Sequence, residues 1–167
     1  MDEVKTIRLR TLGWVIIPII VFLVIPHGLR RLVEEVFPQP WGGWQWFGCW
    51  LIVNGVGLAG WCVRLFNVEG RGTPLPFDPP KRFVATGPYR YVRNPMMLGM
   101  GLILWGETLL FESRTLALYT IALMVAAHLV VRFWEEPQLI RRFGQAYLGY
   151  QRAVPRWIPR RPRVRSR

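Results

Sequence analysis

Acidic residues are scarce in this chain. Ten Asp and Glu stand against 22 Lys and Arg in 167 residues, for a formal net charge of +12. Cysteine is nearly absent, with only Cys49 and Cys62. Thirteen helical residues would hold those two roughly 20 Å apart, too far for a disulfide. Histidine is limited to His27 and His128, and no Cys or His neighbours either cysteine, so the pattern offers no metal site. Lysine is confined to Lys5 and Lys81 while arginine dominates, a bias that suggests a high-GC bacterial source. Low-complexity sequence is missing until the basic tail 160–167.

Apolar residues are abundant. They make up 51% of the chain, aromatics make up 14%, and the mean hydropathy is +0.20. That excludes a disordered protein, which lacks apolar surface to offset chain entropy. A soluble domain of this size holds +12 only as a polyanion binder. A membrane protein holds it in cytoplasmic loops and tails.

The placement of charge decides between them. Thr11–Leu29 and Val36–Val63 carry none, Pro95–Phe111 carries only Glu107, and Thr115–Val131 carries only the imidazole of His128. A span needs about 20 mostly apolar residues. Four such stretches leave too little polar surface to cover them in water. Spans are therefore expected near 11–29, 44–65, 95–111 and 115–134, the last two as a hairpin turning at Glu112–Ser113–Arg114. With both termini on one side, 19 of the 22 basic residues share a face. The positive-inside rule makes that face cytoplasmic, in a bacterial inner membrane. The charge then suits anionic lipids without nucleic acid. The first span has the outline of a signal peptide but no small-x-small cleavage site, so it reads as retained.

Two stretches look like chemistry. The loop 67–94 holds five prolines and three glycines among Phe77, Phe83, Tyr89 and Tyr91. Loops of that length in compact proteins are usually functional or disordered; the interleaved aromatics argue for order, and a simple connector between spans is the plain alternative. Further on, Glu135 and Glu136 end the fourth span, where acids are costly unless paired or bound. His128, Arg132 and Glu135/Glu136 share a helix face. An Arg132–Glu136 salt bridge at i,i+4 is the plain structural alternative. Downstream, Leu139, Phe143, Tyr147 and Tyr150 form an amphipathic stripe, so a C-terminal helix is expected over 135–152.

The run Gly87-Pro88-Tyr89-Arg90-Tyr91-Val92-Arg93-Asn94-Pro95 is followed by Glu135-Glu136-Pro137, Phe143-Gly144-x-x-Tyr147-x-x-Tyr150 and Val154-Pro155. This composite resembles the isoprenylcysteine carboxyl methyltransferase family, and phospholipid N-methyltransferases share its paired acids. The resemblance covers roughly residues 70–159. It implies an all-α integral membrane bundle of about four transmembrane helices. A cytoplasmic loop and the C-terminal helix would form a pocket for S-adenosyl-L-methionine. A single domain, 1–159, would hold it. The implied cofactor contacts are Lys81, Arg82, Phe83, Val84, Tyr89, Asn94, Pro95, Met96, Met97 and Glu135. Arg90 and Arg93 are added on charge, and Glu136 as the second acid. Arg132 is the nearest match to the family's substrate-side arginine. Eukaryotic members have His-Pro-x-Tyr where this chain has Asn94-Pro95-Met96-Met97, which removes a hydroxyl and an aromatic ring at Met97; the stretch before the resemblance is also shorter than in eukaryotic members, so a prenylated-protein substrate is not expected to carry over.

Glu107 and His128 lie inside spans, where ionisable groups mark function. They are candidates for the substrate side, His128 as a base for an amine or thiol. A satisfied interhelical hydrogen bond for His128, and a neutral structural acid for Glu107, are the alternatives. The expected function is methyl transfer to a lipid-like or apolar acceptor at the cytoplasmic face. A nicotinamide-dependent membrane reductase and a non-enzymatic scaffold remain the other readings. Expected partners are membrane lipids and the apolar substrate.

Overall fold

A computed structural model describes residues 20–34, 40–70 and 83–160. Those residues contain helices and connecting turns but no strand. The first expected span is therefore seen only from Ile20. It runs as a π-turn, Ile20–Val24, into α1 (Ile25–Val33). The long helix α2 covers Gly43–Val68, α3 covers Pro95–Leu110 and α4 covers Arg114–Val130.

Each start has a local cause. The Gly42 N–H donates to Gln45 Oε1 at 2.8 Å, which satisfies one orphan amide at the head of α2. α3 opens on Pro95, whose fixed φ suits the first helical position and whose missing N–H costs nothing there. Ser113 Oγ accepts the Leu116 N–H at 3.1 Å and caps α4. Between α3 and α4 the chain reverses over Phe111–Ser113, with Glu112 at φ +46°.

Glycine holds α2 and α3 together. Gly48 and Gly55 face Gly106 and Gly99 respectively, each pair of residues being two helical turns apart on its helix. A Cβ at Gly48 would stand 2.6 Å from the Gly106 carbonyl oxygen, and one at Gly55 would stand 2.5 Å from that of Gly99. The backbones touch directly, in the way small residues let membrane helices approach. α1 leans on α4 instead. The Tyr119 hydroxyl donates to the Val21 carbonyl at 2.9 Å, and the Thr115 N–H donates to Glu34 Oε1 at 2.8 Å.

Two helices are long and apolar enough to cross a membrane: Gly43–Val68, and the continuous helix Arg114–Phe143. Pro95–Leu110 is apolar but shorter. Trp50, Val53, Val56 and Trp61 on α2, and Leu118, Ile121 and Val125 on α4, are all exposed. Lipid satisfies such faces and water does not.

α4 does not stop at Val130. A π-turn, Val131–Glu135, carries it into α5 (Glu136–Phe143). Pro137 has no N–H to give the Phe133 carbonyl, which breaks the i,i+4 ladder there. The Glu136 N–H reaches back five residues, to the Val131 carbonyl. The stripe expected as one helix over 135–152 is divided. Gly144 sits at φ +54°, ψ −129°, a backbone state that side chains with a Cβ avoid, and α6 (Gln145–Ala153) starts anew.

Candidate functional site

The π-turn sets Glu136 inward. Its side chain is buried and both of its oxygens have partners. Oε1 lies 2.8 Å from Arg93 Nη1 and 2.8 Å from Arg156 Nε. Oε2 accepts from Arg156 Nη2 at 2.9 Å and from Gln151 Nε2 at 3.1 Å. One carboxylate thus ties together the segment before α3, the start of α5, helix α6 and the C-terminal segment. Arg156 meets it with a two-pronged grip, the strong geometry for a guanidinium. The hydrogen bond to Glu136 pushes the Arg156 guanidinium above its already high value.

The C-terminal segment lies along residues 91–94. The Arg93 N–H donates to the Pro155 carbonyl at 2.9 Å, and the Arg160 N–H donates to that of Tyr91 at 3.0 Å. Asn94 Nδ2 donates to the Arg156 carbonyl at 3.2 Å, across the head of α3. Arg93 is nine-tenths buried, and its Nε has no hydrogen-bond partner. Buried donors are rarely left unpaired.

Beneath lies an aromatic floor. The Phe83 ring stands 4.9 Å from Tyr150 and 5.8 Å from Tyr147, centroid to centroid, both edge-on. The Tyr150 hydroxyl donates to the Tyr89 carbonyl at 2.7 Å. Tyr89 is buried with Val84 and Cys62, and Met96 packs on that group. Burial raises the Tyr89 and Tyr150 phenols and pushes Tyr147 up to about 12, so all three stay neutral hydroxyls at ordinary pH.

Glu135 differs from its neighbour. It keeps exposed surface, yet protein surrounds it densely. No protein hydrogen bond or ion pair claims its oxygens among the described residues.

The residues named from sequence separate into groups. Phe83, Val84, Tyr89, Arg93, Asn94, Pro95, Met96, Glu135 and Glu136 belong to this assembly, and half-buried Met97 follows them on the first turn of α3. Arg90 is exposed beside it. Lys81 and Arg82 lie outside the described residues. Arg132 is exposed and rests over the Phe133 ring at 5.4 Å, so the Arg132–Glu136 bridge does not form. The π-turn between them rotates Glu136 toward Arg93 and Arg156. His128 accepts a hydrogen bond at Nδ1 from Trp157 Nε1 at 2.8 Å.

Glu107 stands apart. It is twelve residues into α3, about 18 Å from its head. It is buried there, with Oε2 at 3.7 Å from His27 Nε2. Sequence alone assigns no role to three participants: Gln151, Arg156 and Trp157, the last two directly following Val154-Pro155.

Chemically, the assembly offers an open acid, a buried guanidinium with a spare donor, and the positive end of α3. Such a set suits a ligand carrying both a cation and a carboxylate. Among the described residues no cluster of three or more His, Cys, Asp or Glu could hold a metal ion.

The comparisons with known proteins agree with one another. A family model described as phospholipid methyltransferase matches residues 44–146. Methanethiol S-methyltransferase 2 of Bradyrhizobium diazoefficiens is 31% identical over 142 residues, which is 74% of this chain and 52% of that protein. Methanethiol S-methyltransferase of Crocosphaera subtropica is 32% identical over 99 residues, 58% of this chain and 34% of that protein. The chain thus spans about half, or less, of the length of these relatives. No solved structure matches.

Proposed function

The chain belongs to the phospholipid methyltransferase family, and on that premise we propose that it transfers a methyl group from S-adenosyl-L-methionine to a small apolar or lipid-like acceptor at the cytoplasmic membrane face. The observation that carries this reading is the division of labour between the paired acids. Glu136 is consumed in holding four segments together, and Glu135 is left open among them.

The residues fit the donor. S-adenosyl-L-methionine supplies a methyl group on a positively charged sulfur. Glu135 would offset that charge or accept from ribose hydroxyls. Arg93, whose buried Nε has no partner, and Asn94 at the head of α3 would hold the donor's carboxylate. Tyr89, Met96 and Met97 would supply apolar walls. Glu136 would act through Arg93, which it fixes. Methyl transfer of this kind is an in-line displacement, so the protein acts chiefly by orienting the partners and excluding water.

The finer topology belongs to the same proposal. Four spans place both termini in the cytoplasm, with 19 of 22 basic residues on that side. The acceptor reaches the site from the bilayer. The two relatives named for methanethiol support a small apolar acceptor, and their methyltransferase names favour methyl transfer over the reductase and scaffold alternatives.

The test is a transfer assay. Membranes bearing the chain are given methyl-labelled S-adenosyl-L-methionine, and label is counted in volatile and solvent-extractable products. Glu135→Ala should lower the rate about tenfold or more, the worth of one charge-assisted contact. Equal rates for Glu135→Ala and the unaltered chain would sink the proposal.

A further inference from the structure

The residues of α5, Glu136–Phe143, sort by face once they are helical. At 3.6 residues per turn, Leu139, Ile140 and Phe143 follow Glu136 on one side, while Arg141 and Arg142 flank the opposite side. Burial follows that division. Glu136 is buried, and the exposed residues of α5 are Gln138, Arg141 and Arg142. The inner face belongs to the assembly around Glu136. That carboxylate meets Arg93 and Arg156, and the Phe143 ring lies 5.4 Å from the Phe83 ring. The outer face has no such duty. Neither Arg141 nor Arg142 makes an ion pair among the described residues, and the one acid of α5 is turned inward.

Helix length says what that outer face meets. α5 is the end of a helix that is continuous from Arg114 to Phe143. Its 30 residues extend about 45 Å, against about 30 Å for the hydrocarbon of a bilayer. Trp134 stands about 30 Å along the axis from Arg114. It is exposed, as is Phe133 beside it, and tryptophan favours the headgroup boundary. With Arg114 at one boundary, Trp134 marks the other, and Arg141 and Arg142 lie about 10 Å further on. Long arginine side chains turn their charge back toward the interface from such a depth. Lipid phosphates are then within their reach.

We propose that Arg141 and Arg142 bind the phosphates of anionic phospholipid, and that this contact holds α5 where it completes the methyl-donor site. The second half rests on the methyl-transfer reading above. Anionic lipid is the occupant that fits, because the surface carries only positive charge and begins where the apolar helix ends. A guanidinium pairs with phosphate through two parallel hydrogen bonds. The coupling comes from the shortness of α5. Eight residues carry the lipid-facing arginines on one side, and Glu136 and Phe143 on the other. Whatever fixes the outer face also fixes the contacts to Arg93 and Phe83.

The experiment uses the full chain in nanodiscs of phosphatidylcholine or of phosphatidylglycerol, with equilibrium binding of S-adenosyl-L-methionine as the readout. In phosphatidylglycerol, Arg141→Gln combined with Arg142→Gln should weaken donor binding about fivefold or more, the worth of one basic residue at an anionic surface. Comparing variants within one lipid removes any general attraction of a cationic donor to that surface. In phosphatidylcholine the same variant and the unaltered chain should bind alike. Arg141→Lys combined with Arg142→Lys keeps the charge and should keep the lipid response. Arg114→Gln, at the other end of the same helix, should change nothing.

A second measurement reads the lipid contact alone. The chain in detergent is offered both lipids in equal amount, and native mass spectrometry counts those retained. Phosphatidylglycerol should be retained over phosphatidylcholine, and the Gln pair should lose that preference. Equal retention of the two lipids by the unaltered chain would overturn the docking. Donor binding in phosphatidylglycerol that ignores the Gln pair would overturn the coupling, and so would an equal loss in both lipids, which marks a merely structural role. If the unaltered chain binds no donor in either lipid, the methyl-transfer reading fails, and lipid retention still decides the docking.

Discussion

Substituting Gly55 with alanine tests the helix contact on which the site is built. The added Cβ would lie 2.5 Å from the Gly99 carbonyl oxygen and 2.8 Å from Ile103 Cγ1. Ordinary contact starts near 3.4 Å, so the backbones must part by about 0.9 Å. The obstacle is a carbonyl in a helix, not a flexible side-chain end, so it cannot simply swing aside. Overpacking of this kind costs about 1–3 kcal/mol. Gly106→Ala meets the Gly48 carbonyl oxygen at 2.6 Å and should cost a similar amount. The double variant should cost less than the sum, because one separation of α2 from α3 relieves both clashes. Gly57 and Gly60 lie on the same helix with nothing within 4 Å of an added Cβ, which makes them the controls. Alanine there should be neutral or stabilising by up to about 1 kcal/mol through helix propensity. The assay is thermal unfolding in detergent, with all variants in one lipid and buffer condition. If Gly55→Ala is as stable as Gly57→Ala, the direct backbone contact of α2 with α3 is wrong.

Other outcomes follow from the clamp and the C-terminal helices. Glu136→Gln leaves Arg93 and Arg156 without their anion and should cost about 3 kcal/mol or more, measured by unfolding. A double-mutant cycle with Arg156→Gln should show strong coupling. Gly144→Ala meets no atom but forces a side chain into φ +54°, so it should cost about 1–2 kcal/mol by backbone strain alone. Alkali should destabilise the fold between pH 10 and about 12. An unfolded Tyr147 ionises near 10, while burial holds the folded phenol neutral up to about 12. The unfolded state therefore gains as pH rises through that window, and Tyr147→Phe should flatten the loss in a stability–pH series.

The apolar helices α2, α3 and α4 are legible in the sequence because charge gathers near their ends. The α3–α4 hairpin is legible through Glu112, Ser113 and Arg114 between two apolar runs. The family was also legible, since its motifs are contiguous runs. The glycine contact was not, because the spacing of Gly48, Gly55, Gly99 and Gly106 acquires meaning only when two helices are set antiparallel. The break at Gly144 was hidden by a stripe of apolar residues that continues on both sides of it. The paired acids were found as a pair, but their separate duties depend on the π-turn that Pro137 imposes. Glu136 has partners 43 residues before it and 20 residues after it, and His128 has one 29 residues on. No local periodicity encodes such distances. Glu107 and His128 looked equivalent as ionisable groups inside spans. Their separation appears only in the fold, with Glu107 beside His27 near the far end of α3 and His128 held by Trp157 of the C-terminal segment.

The central claim is that Glu135 is the open acid of a methyl-donor site and that Glu107 is not part of it. Equilibrium binding of S-adenosyl-L-methionine to the purified chain tests this most directly. The unaltered protein and Glu107→Gln should bind the donor alike. Glu135→Ala should lose about tenfold or more in affinity with its helical content unchanged. Binding that is insensitive to Glu135→Ala but lost in Glu107→Gln would contradict the account.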